Sequence, residues 1–238
     1  MTAHGLIDTT DMYLRTIFEL DEEGTVPLRA RIAERLSQSG PTVSETVARM
    51  ERDGLVQVAG DRHLSLTQAG RGQATRVMRK HRLAECLLVD VIGIAWEDAH
   101  LEACRWEHVI SDGVEYLIAK LLAYPVRCPY GNPIPGLAEL GVPADAIDRA
   151  GAVARERPVP MTEVAADEPV GVFIGQIGEH LQNDAGRLSK LRSIGIQPGH
   201  EVTLVSGSDG VKVTVAGRVG MEAELPHDVA AHLFVVRP

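Results

Sequence analysis

Apolar residues recur with a helical period along most of the first half of the chain. Helices are predicted over five ranges: 6–21, 27–36, 41–52, 71–92 and about 97–122. Between the third and the fourth of these, residues 55–59 and 63–67 follow the two-residue period of strands, with a turn at 60–62. Two short helices joined by a glycine-containing break and followed by a tight hairpin predict a winged helix-turn-helix.

The last predicted helix carries more apolar residues than a single helix can bury. They are Val109, Ile110, Val114, Leu117, Ile118, Leu121 and Leu122. Association of two copies is the simplest way to cover such a face, so we expect a homodimer.

The pattern changes in the second half of the chain. Residues 125–136 are rich in Pro and Gly and are expected to be extended. Residues 143–169 show no sustained period, which is typical of a linker. Beyond them, short alternating runs predict strands at 170–177, 201–205, 211–215 and 232–237, interrupted by one helical patch at about 180–194. This part of the chain is typical of a small five-stranded barrel.

The charge of the chain limits how it can bind nucleic acid. The 238 residues carry a net charge of −9, and even residues 1–75 hold 8 basic against 11 acidic side chains. Indiscriminate DNA binding depends on Lys and Arg side chains that neutralise phosphates. Any contact with DNA must therefore come from local basic residues or from added cations.

The cysteines and the apolar runs indicate a cellular compartment. Three cysteines at irregular spacing do not indicate a disulfide framework. No apolar run reaches the roughly 18 residues that cross a bilayer, and the start of the chain lacks the basic and apolar regions of a signal peptide. We therefore expect a cytoplasmic protein with free thiols.

Cys104, Glu107 and His108 are the strongest candidates for chemistry. They lie at i, i+3 and i+4, so they would share one face of a helix. A thiolate, a carboxylate and an imidazole suit ferrous iron, cobalt, nickel or zinc better than magnesium or calcium. The alternative is purely structural: a surface Glu beside a buried Cys and a hydrogen-bonded His.

A second candidate site pairs His81 with Glu85 at i, i+4, and His100 on the next helix could reach the same place. Such a pair is more often a surface ion pair, and the i, i+3 spacing of Glu179 and Gln182 is uninformative by itself. The sequence has no glycine-rich phosphate loop, nucleophile elbow or His-Glu-x-x-His motif, and no Cys-x-x-Cys spacing of structural zinc sites. We therefore do not expect an enzyme.

Seven stretches of the chain match the pattern of one protein family. They are DTTDMYLRT (8–16), LRARIAERL (28–36), SGPTVS (39–44), RMERDGLV (49–56), MRKHRLAE (78–85), EACRWEHV (102–109) and GNPIPGL (131–137). In these stretches the chain resembles, nearly from end to end, the iron-dependent repressor family of the diphtheria toxin repressor type. The resemblance implies a mainly α fold with small β elements. It divides into a winged helix-turn-helix DNA-binding domain at 1–75, a helical dimerisation and metal-binding domain at 76–142, a linker at 143–164 and an SH3-like domain at 165–238.

The resemblance also implies a repressor activated by Fe²⁺ at two sites per protomer, with Co²⁺, Ni²⁺, Zn²⁺ or Mn²⁺ as substitutes in vitro. The primary site would comprise Met12, Cys104, Glu107 and His108. The ancillary site would comprise His81, Glu85, His100, Glu179 and Gln182. The thioether and the thiolate of the primary site favour iron over manganese, which prefers oxygen ligands. The alternatives are a manganese- or zinc-responsive regulator of the same fold and, in another class, a metallohydrolase.

The implied partner is double-stranded, palindromic operator DNA of iron uptake and storage genes. Ser39 and Pro41 would contact bases. The residues that would face phosphates are Arg29, Arg31, Thr42, Ser44, Arg49 and Arg52. Glu45 stands where the family usually has Gln; because a carboxylate cannot donate, we expect weaker operator binding or an altered base preference. Residues 125–136 would be an intramolecular ligand of the SH3-like domain.

Overall fold

The computed structural model describes residues 9–144, 147, 158–217 and 222–237. In the first module, three helices and a hairpin are ordered as the sequence predicts. The elements are α1 (Thr9–Glu22), α2 (Arg29–Arg35), α3 (Gly40–Arg52), β1 (Val56–Val58) and β2 (Leu64–Leu66). Helix α3 starts at the N-cap Ser39, whose hydroxyl accepts a hydrogen bond from the Thr42 backbone N–H at 3.3 Å. Val43, Val47 and Met50, spaced at i, i+4 and i+7, are fully buried, so the opposite face of α3 is exposed beside the antiparallel β1–β2 hairpin.

The second module is helical and begins with α4 (Gln68–Cys86), which packs against α1 and α5. The helix continues as a π-helical stretch (Leu87–Ile92) and ends at Gly93, whose φ is 80°. The predicted continuous helix at 97–122 is wrong, because two helices occupy this range: α5 (Ala99–Trp106) and α6 (Asp112–Leu121). The break arises because Ser111 caps α6 and accepts a hydrogen bond from the Val114 backbone N–H.

Helix α6 carries the exposed apolar face that the sequence predicts. Leu117 and Leu121 are 60% and 65% exposed, and Val114 and Val109 are also exposed. Leu and Val side chains with this much open surface need a partner to cover them. Among the described residues, no helix is long and apolar enough to cross a membrane.

The third module is a six-stranded antiparallel sheet, whereas the sequence indicated a five-stranded barrel and located four of its strands. The strands are β3 (Val159–Pro160), β4 (Val170–Ile177), β5 (Glu201–Ser206), β6 (Gly210–Val215), β7 (Glu222–Pro226) and β8 (Leu233–Val236). Their order in the sheet is β3-β8-β4-β5-β6-β7. Four short helices accompany them: α7 (Met161–Val164), α8 (Glu179–Gln182), α9 (Ala185–Ile194) and α10 (His227–Ala230). The single helical patch predicted at about 180–194 is thus two helices.

The predicted linker at 143–164 extends too far at its C-terminal end. Residues 145–146 and 148–157 lie outside the described part of the chain. Val159 and Pro160, however, pair with Val235 and Phe234 of β8, and Met161 is fully buried. These residues therefore belong to the sheet module; a two-residue strand is too short to show a period.

The Pro- and Gly-rich segment 125–136 lies against strand β4. The Ile177 backbone N–H donates to the Tyr130 carbonyl at 2.9 Å, and the Asn132 side-chain amide donates to the Ile177 carbonyl at 3.0 Å. Gly131 has φ 83°, and a Cβ there would meet the Gly175 carbonyl oxygen at 2.1 Å, so only glycine allows this approach. The segment thus joins the helical module to the sheet module.

Candidate metal centre

Four buried side chains form a compact donor cluster between the helical and sheet modules. His81 and Glu85 lie one turn apart on α4, His100 lies on α5, and Glu179 begins α8. One ligand atom from each lies within 4.8 Å of the others. His81 Nε2 is 2.7 Å from Glu85 Oε1 and 3.1 Å from His100 Nδ1, and Glu179 Oε2 is 3.5 Å from His81 Nε2. Four of the five residues predicted for the ancillary site therefore converge.

Two buried oxygen atoms in and beside the cluster lack hydrogen-bond partners in the described part of the chain, which suits a site for a cation. Glu85 Oε2 and Gln182 Oε1 are buried and have no hydrogen-bond partner among the described residues, although buried polar atoms are normally paired. Gln182, the fifth predicted ligand, lies in α8 one turn beyond Glu179, and its amide N–H donates to the Ile177 carbonyl at 2.7 Å. Burial would raise the pKa of Glu85, but His81 and His100 hold it well below its usual value. The carboxylate is therefore charged and available to a metal ion.

The four residues predicted for the primary site line one cavity of about 170 Å³. They are Met12, Cys104, Glu107 and His108. Met12 comes from α1, and the other three come from the end of α5 and the turn that follows it. Among the described residues, Cys104, Glu107 and His108 are not gathered into one donor set. Another side chain of the cavity lies among them instead.

That side chain is Arg15, which sequence reasoning missed. Its guanidinium donates to Glu107 Oε2 at 2.9 Å and to Cys104 Sγ at 3.2 Å. It also forms ion pairs with Glu19 at 2.6 Å and with Glu179 at 3.4 Å. The i, i+4 spacing of Arg15 and Glu19 was visible in the sequence, but nothing there showed that this face of α1 is buried.

Arg15 keeps the neighbouring acids ionised. Burial would raise the pKa of Glu107, but the charge of Arg15 and the hydrogen bond from His81 lower it to about 2. Burial also opposes ionisation of Cys104, yet Arg15 and His100 together lower the thiol pKa well below its usual value. The surroundings therefore favour the carboxylate of Glu107 and the thiolate of Cys104, which are the forms that bind metals.

A second buried guanidinium, also missed, links all three modules. Arg82 on α4 donates to Glu179 Oε1 at 3.0 and 3.1 Å and to the Pro133 carbonyl, and it pairs with Glu22 of α1. It is 1% exposed. Glu179 is thus held between Arg82 and the cluster of histidines.

The predicted DNA contacts lie on α2, α3 and the N-cap of α3 in the first module. Exposed residues of α3 and its N-cap are Ser39, Pro41, Thr42, Ser44, Glu45, Arg49 and Arg52. Arg29 and Arg31 on α2 are half-buried, and the Arg31 guanidinium donates to the Val26 carbonyl. The structure therefore leaves the outer face of α3 exposed, and the Arg31 guanidinium is engaged within its own module.

Three family profiles match successive parts of the chain. The iron dependent repressor N-terminal DNA binding domain matches residues 5–64, the iron dependent repressor metal binding and dimerisation domain matches 67–136, and the diphtheria toxin repressor SH3 domain matches 158–234. These boundaries follow the three modules of the fold.

Whole proteins match over nearly the same length. The iron-dependent repressor IdeR of Mycobacterium tuberculosis is 55% identical over 227 residues, covering 94% of this chain and 95% of that protein. The diphtheria toxin repressor of Corynebacterium diphtheriae is 53% identical over 228 residues, with coverage of 94% and 95%.

Solved structures match the whole architecture. IdeR of T. acidophilum superposes with a TM-score of 0.73 at 28% identity, covering 98% of this chain and 99% of that one. A manganese-dependent transcriptional repressor in complex with manganese gives a TM-score of 0.79 at 27% identity, with coverage of 97% and 100%. The chain belongs to the iron-dependent repressor family and is a metal-dependent transcriptional repressor, not an enzyme.

Proposed function

We propose that this protein is a cytoplasmic homodimer that binds palindromic operator DNA when Fe²⁺ fills two sites per protomer, and that it controls iron uptake and storage genes. The observation that carries the proposal is the buried cluster of His81, Glu85, His100 and Glu179, because three elements from two modules supply its ligands. A divalent ion bound at each of the two sites would add positive charge and bring the net charge of the acidic chain closer to zero.

The primary site would couple metal to DNA binding through the position of Met12. This residue lies on α1 of the DNA-binding module, whereas Cys104, Glu107 and His108 belong to the helical module. One ion bound by ligands from both modules would hold the two modules in one arrangement. The ion shifts the protein population toward the DNA-binding arrangement only if it binds that arrangement more tightly than the others. Arg15 lies among these ligands in the present arrangement.

The soft sulfur atoms of Met12 and Cys104 support iron as the activating metal. A thioether and a thiolate disfavour manganese, which prefers oxygen ligands. The alternative is a manganese- or zinc-responsive regulator of the same fold; its support is the structural likeness to a manganese-dependent repressor at 27% identity. Carboxylates in place of Met12 and Cys104 would shift the preference toward manganese.

The operator contacts would come from the exposed face of α3. Ser39 and Pro41 would reach bases at the N-terminus of the helix, and Arg49 and Arg52 at its end would contact phosphates. Glu45 has an exposed carboxylate on the same face, which accepts hydrogen bonds from cytosine N4 but is repelled by phosphates.

We also infer that segment 125–136 is the intramolecular ligand of the SH3-like domain. Its support is the pair of hydrogen bonds between residues 130–132 and Ile177 of β4. The contact would hold Glu179 and Gln182, just beyond Ile177, beside the ancillary ligands of α4 and α5.

The test is operator binding by fluorescence anisotropy under anaerobic conditions, with Fe²⁺, Co²⁺ or Ni²⁺ against chelator. We expect binding with metal and none with chelator. Cys104→Ala and Glu85→Gln should each weaken the metal-dependent binding by more than about tenfold. Glu102→Gln is the matched control, because Glu102 lies on α5 but forms a surface pair with Arg105. Equal operator binding with and without metal would overturn the proposal.

A further inference from the structure

Arg79 is a buried arginine that contacts three parts of the helical module. It lies on α4, two residues before His81, and is 3% exposed. Its Nε donates to Glu115 Oε1 of α6 at 2.6 Å. Its Nη1 donates to the Gly136 carbonyl at 2.8 Å and to Glu139 Oε2 at 2.7 Å. One guanidinium therefore joins α4, α6 and the end of the Pro- and Gly-rich segment.

The pair between Arg79 and Glu115 is shielded from solvent on both sides. Glu115 is 1% exposed, and its two carboxylate oxygens face Nε and Nη2, at 2.6 and 3.5 Å. These contacts leave Nη1 for the segment. The fork of an arginine is planar and rigid, so the directions of Nη1 and Nε are set together. A movement of the segment against Nη1 is therefore passed on to Glu115.

Glu115 belongs to the buried side of the helix that carries the exposed apolar residues. It lies on α6 together with the buried Ile118, whereas Leu117 and Leu121 lie on the exposed apolar side. Because a helix is a rigid rod, a shift or rotation of α6 at Glu115 moves that side as well. The contact with Arg79 therefore sets where α6 presents its exposed apolar side to another copy.

The close approach of the segment to Arg79 requires glycine. Gly136 has φ 66°, and a Cβ there would meet Arg79 Nη1 at 2.6 Å. Earlier in the segment, residues 130–132 are hydrogen-bonded to Ile177, two residues before Glu179. The guanidinium is therefore linked, through the segment, to the sheet module that supplies Glu179 to the donor cluster.

We propose that Arg79 is a positioning residue that couples the ancillary donor cluster to the exposed apolar side of α6. When an ion occupies the cluster, Glu179 is held in place, and with it the sheet module and the segment. Gly136 and Glu139 then stay against Nη1, and Nε stays aimed at Glu115, so α6 keeps the position in which two copies meet. By linkage, dimerisation strengthens metal binding by the same factor. The inference rests on the proposed function for the metal site and for the dimer.

The test is the dimer dissociation constant of the full-length protein, measured by sedimentation equilibrium with chelator and with saturating Co²⁺. In the wild-type protein Co²⁺ should lower this constant by about 5- to 150-fold, the usual range of coupling between two sites. Arg79→Lys keeps the buried positive charge but cannot reach Glu115 and Gly136 together, because an ammonium lacks the planar fork. In this variant we expect the ratio of the two constants to fall to within about twofold of one.

Asp112→Asn is the matched control. It removes the pair between Asp112 and Lys80, which joins the same two helices at 2.8 Å but has an Asp112 side chain that is 83% exposed. This variant should keep the wild-type ratio. Glu115→Gln changes the other partner of Arg79 and should lose the ratio, so the proposal stays testable where Arg79→Lys does not fold.

Calorimetric titration with Co²⁺ gives the reciprocal measurement. The wild-type protein should bind Co²⁺ more tightly above its dimer dissociation constant than below it, and Arg79→Lys should bind equally at both concentrations. A wild-type ratio in folded Arg79→Lys, or a ratio of one in the wild-type protein, would overturn the coupling and leave the proposed function standing. A wild-type protein that does not bind Co²⁺ or does not dimerise would instead refute the proposed function.

Discussion

Replacement of Arg15 by Met tests the role of the guanidinium that lines the cavity beside Cys104 and Glu107. The variant keeps a long apolar side chain but removes a positive charge that pairs with Glu19, Glu107 and Glu179 at 2.6, 2.9 and 3.4 Å. All three carboxylates are buried. Removing one partner of a buried ion pair costs ~3–5 kcal/mol, because a charge is left uncompensated. At roughly 2–4 °C per kcal/mol for a chain of this size, the Tm of the metal-free protein should fall by about 6–20 °C.

The same variant should bind divalent ions more tightly. In the wild-type protein an ion reaches Cys104 and Glu107 only after both lose their hydrogen bonds from Arg15. Hydrogen bonds to charged groups contribute ~1.5–3 kcal/mol each, so the two together oppose metal binding by at least ~3 kcal/mol. At 1.4 kcal/mol per factor of ten, the variant should gain about 100-fold in affinity.

Calorimetric titration with Co²⁺ measures the affinity, and thermal melts with chelator measure the stability. Arg71→Met is the matched control, because Arg71 also joins α4 to α1 through a pair with Asp21 but is half exposed; exposed pairs contribute ~0–1 kcal/mol. Unchanged or weaker Co²⁺ affinity in a folded Arg15→Met protein would refute the idea that the guanidinium competes with the ion.

Three further outcomes follow from the described geometry. Glu45→Gln should tighten operator binding by ~1–3 kcal/mol where the contacted base is adenine. The control variant Glu51→Gln should leave operator binding unchanged, because the Glu51 carboxylate accepts a hydrogen bond from the Val58 N–H. Equal anisotropy curves for the wild-type protein and both variants would contradict this. Leu117 is exposed in a single protomer and would be buried in the proposed dimer, so Leu117→Glu should weaken the dimer more than about 100-fold by placing a charge there in both copies. An unchanged sedimentation profile would count against an α6 interface. In chelator, melts should show a stability maximum at intermediate pH. Burial opposes the charge on His100, but Cys104 and Glu85 raise its pKa to about 9, so its contribution is full below ~6.5 and lost as the pH rises through 9. The lowered pKa of Glu107, about 2, gives a contribution that is full above ~4.3 and lost as the pH falls through 2; a Tm independent of pH over that whole range would refute both.

The periodic patterns of the sequence were enough to predict most elements but not where helices break. The apolar period continues through Val109 and Ile110 into α6, so the range 97–122 looked like one helix. Ser111, which caps α6, is the signal that would have divided it. Strand β7 was missed because Glu222–Pro226 is short and holds only Ala223 and Leu225 as apolar residues before its proline, with Glu224 between them.

The candidate metal ligands could be named because motif and spacing are local properties of the sequence. The family resemblance connected candidates that lie far apart along the chain. Met12 and Cys104, both predicted for the primary site, line one cavity. Arg15 and Arg82 could not be named in the same way. An arginine on an amphipathic helix is usually solvated, and the partner that buries both, Glu179, lies 164 and 97 residues away in sequence. Only the packing of the sheet module on the helices creates those contacts.

The pairing of Arg82 with Glu179 sets an order of events during synthesis of the chain. Glu179 is made 97 residues after Arg82, which is about 5–20 s at ordinary rates of translation. During that interval α4 carries His81, Glu85 and Arg82 without the last carboxylate of the cluster. Until Glu179 is made, a nascent chain therefore lacks both one proposed ancillary ligand and the buried carboxylate partner of Arg82.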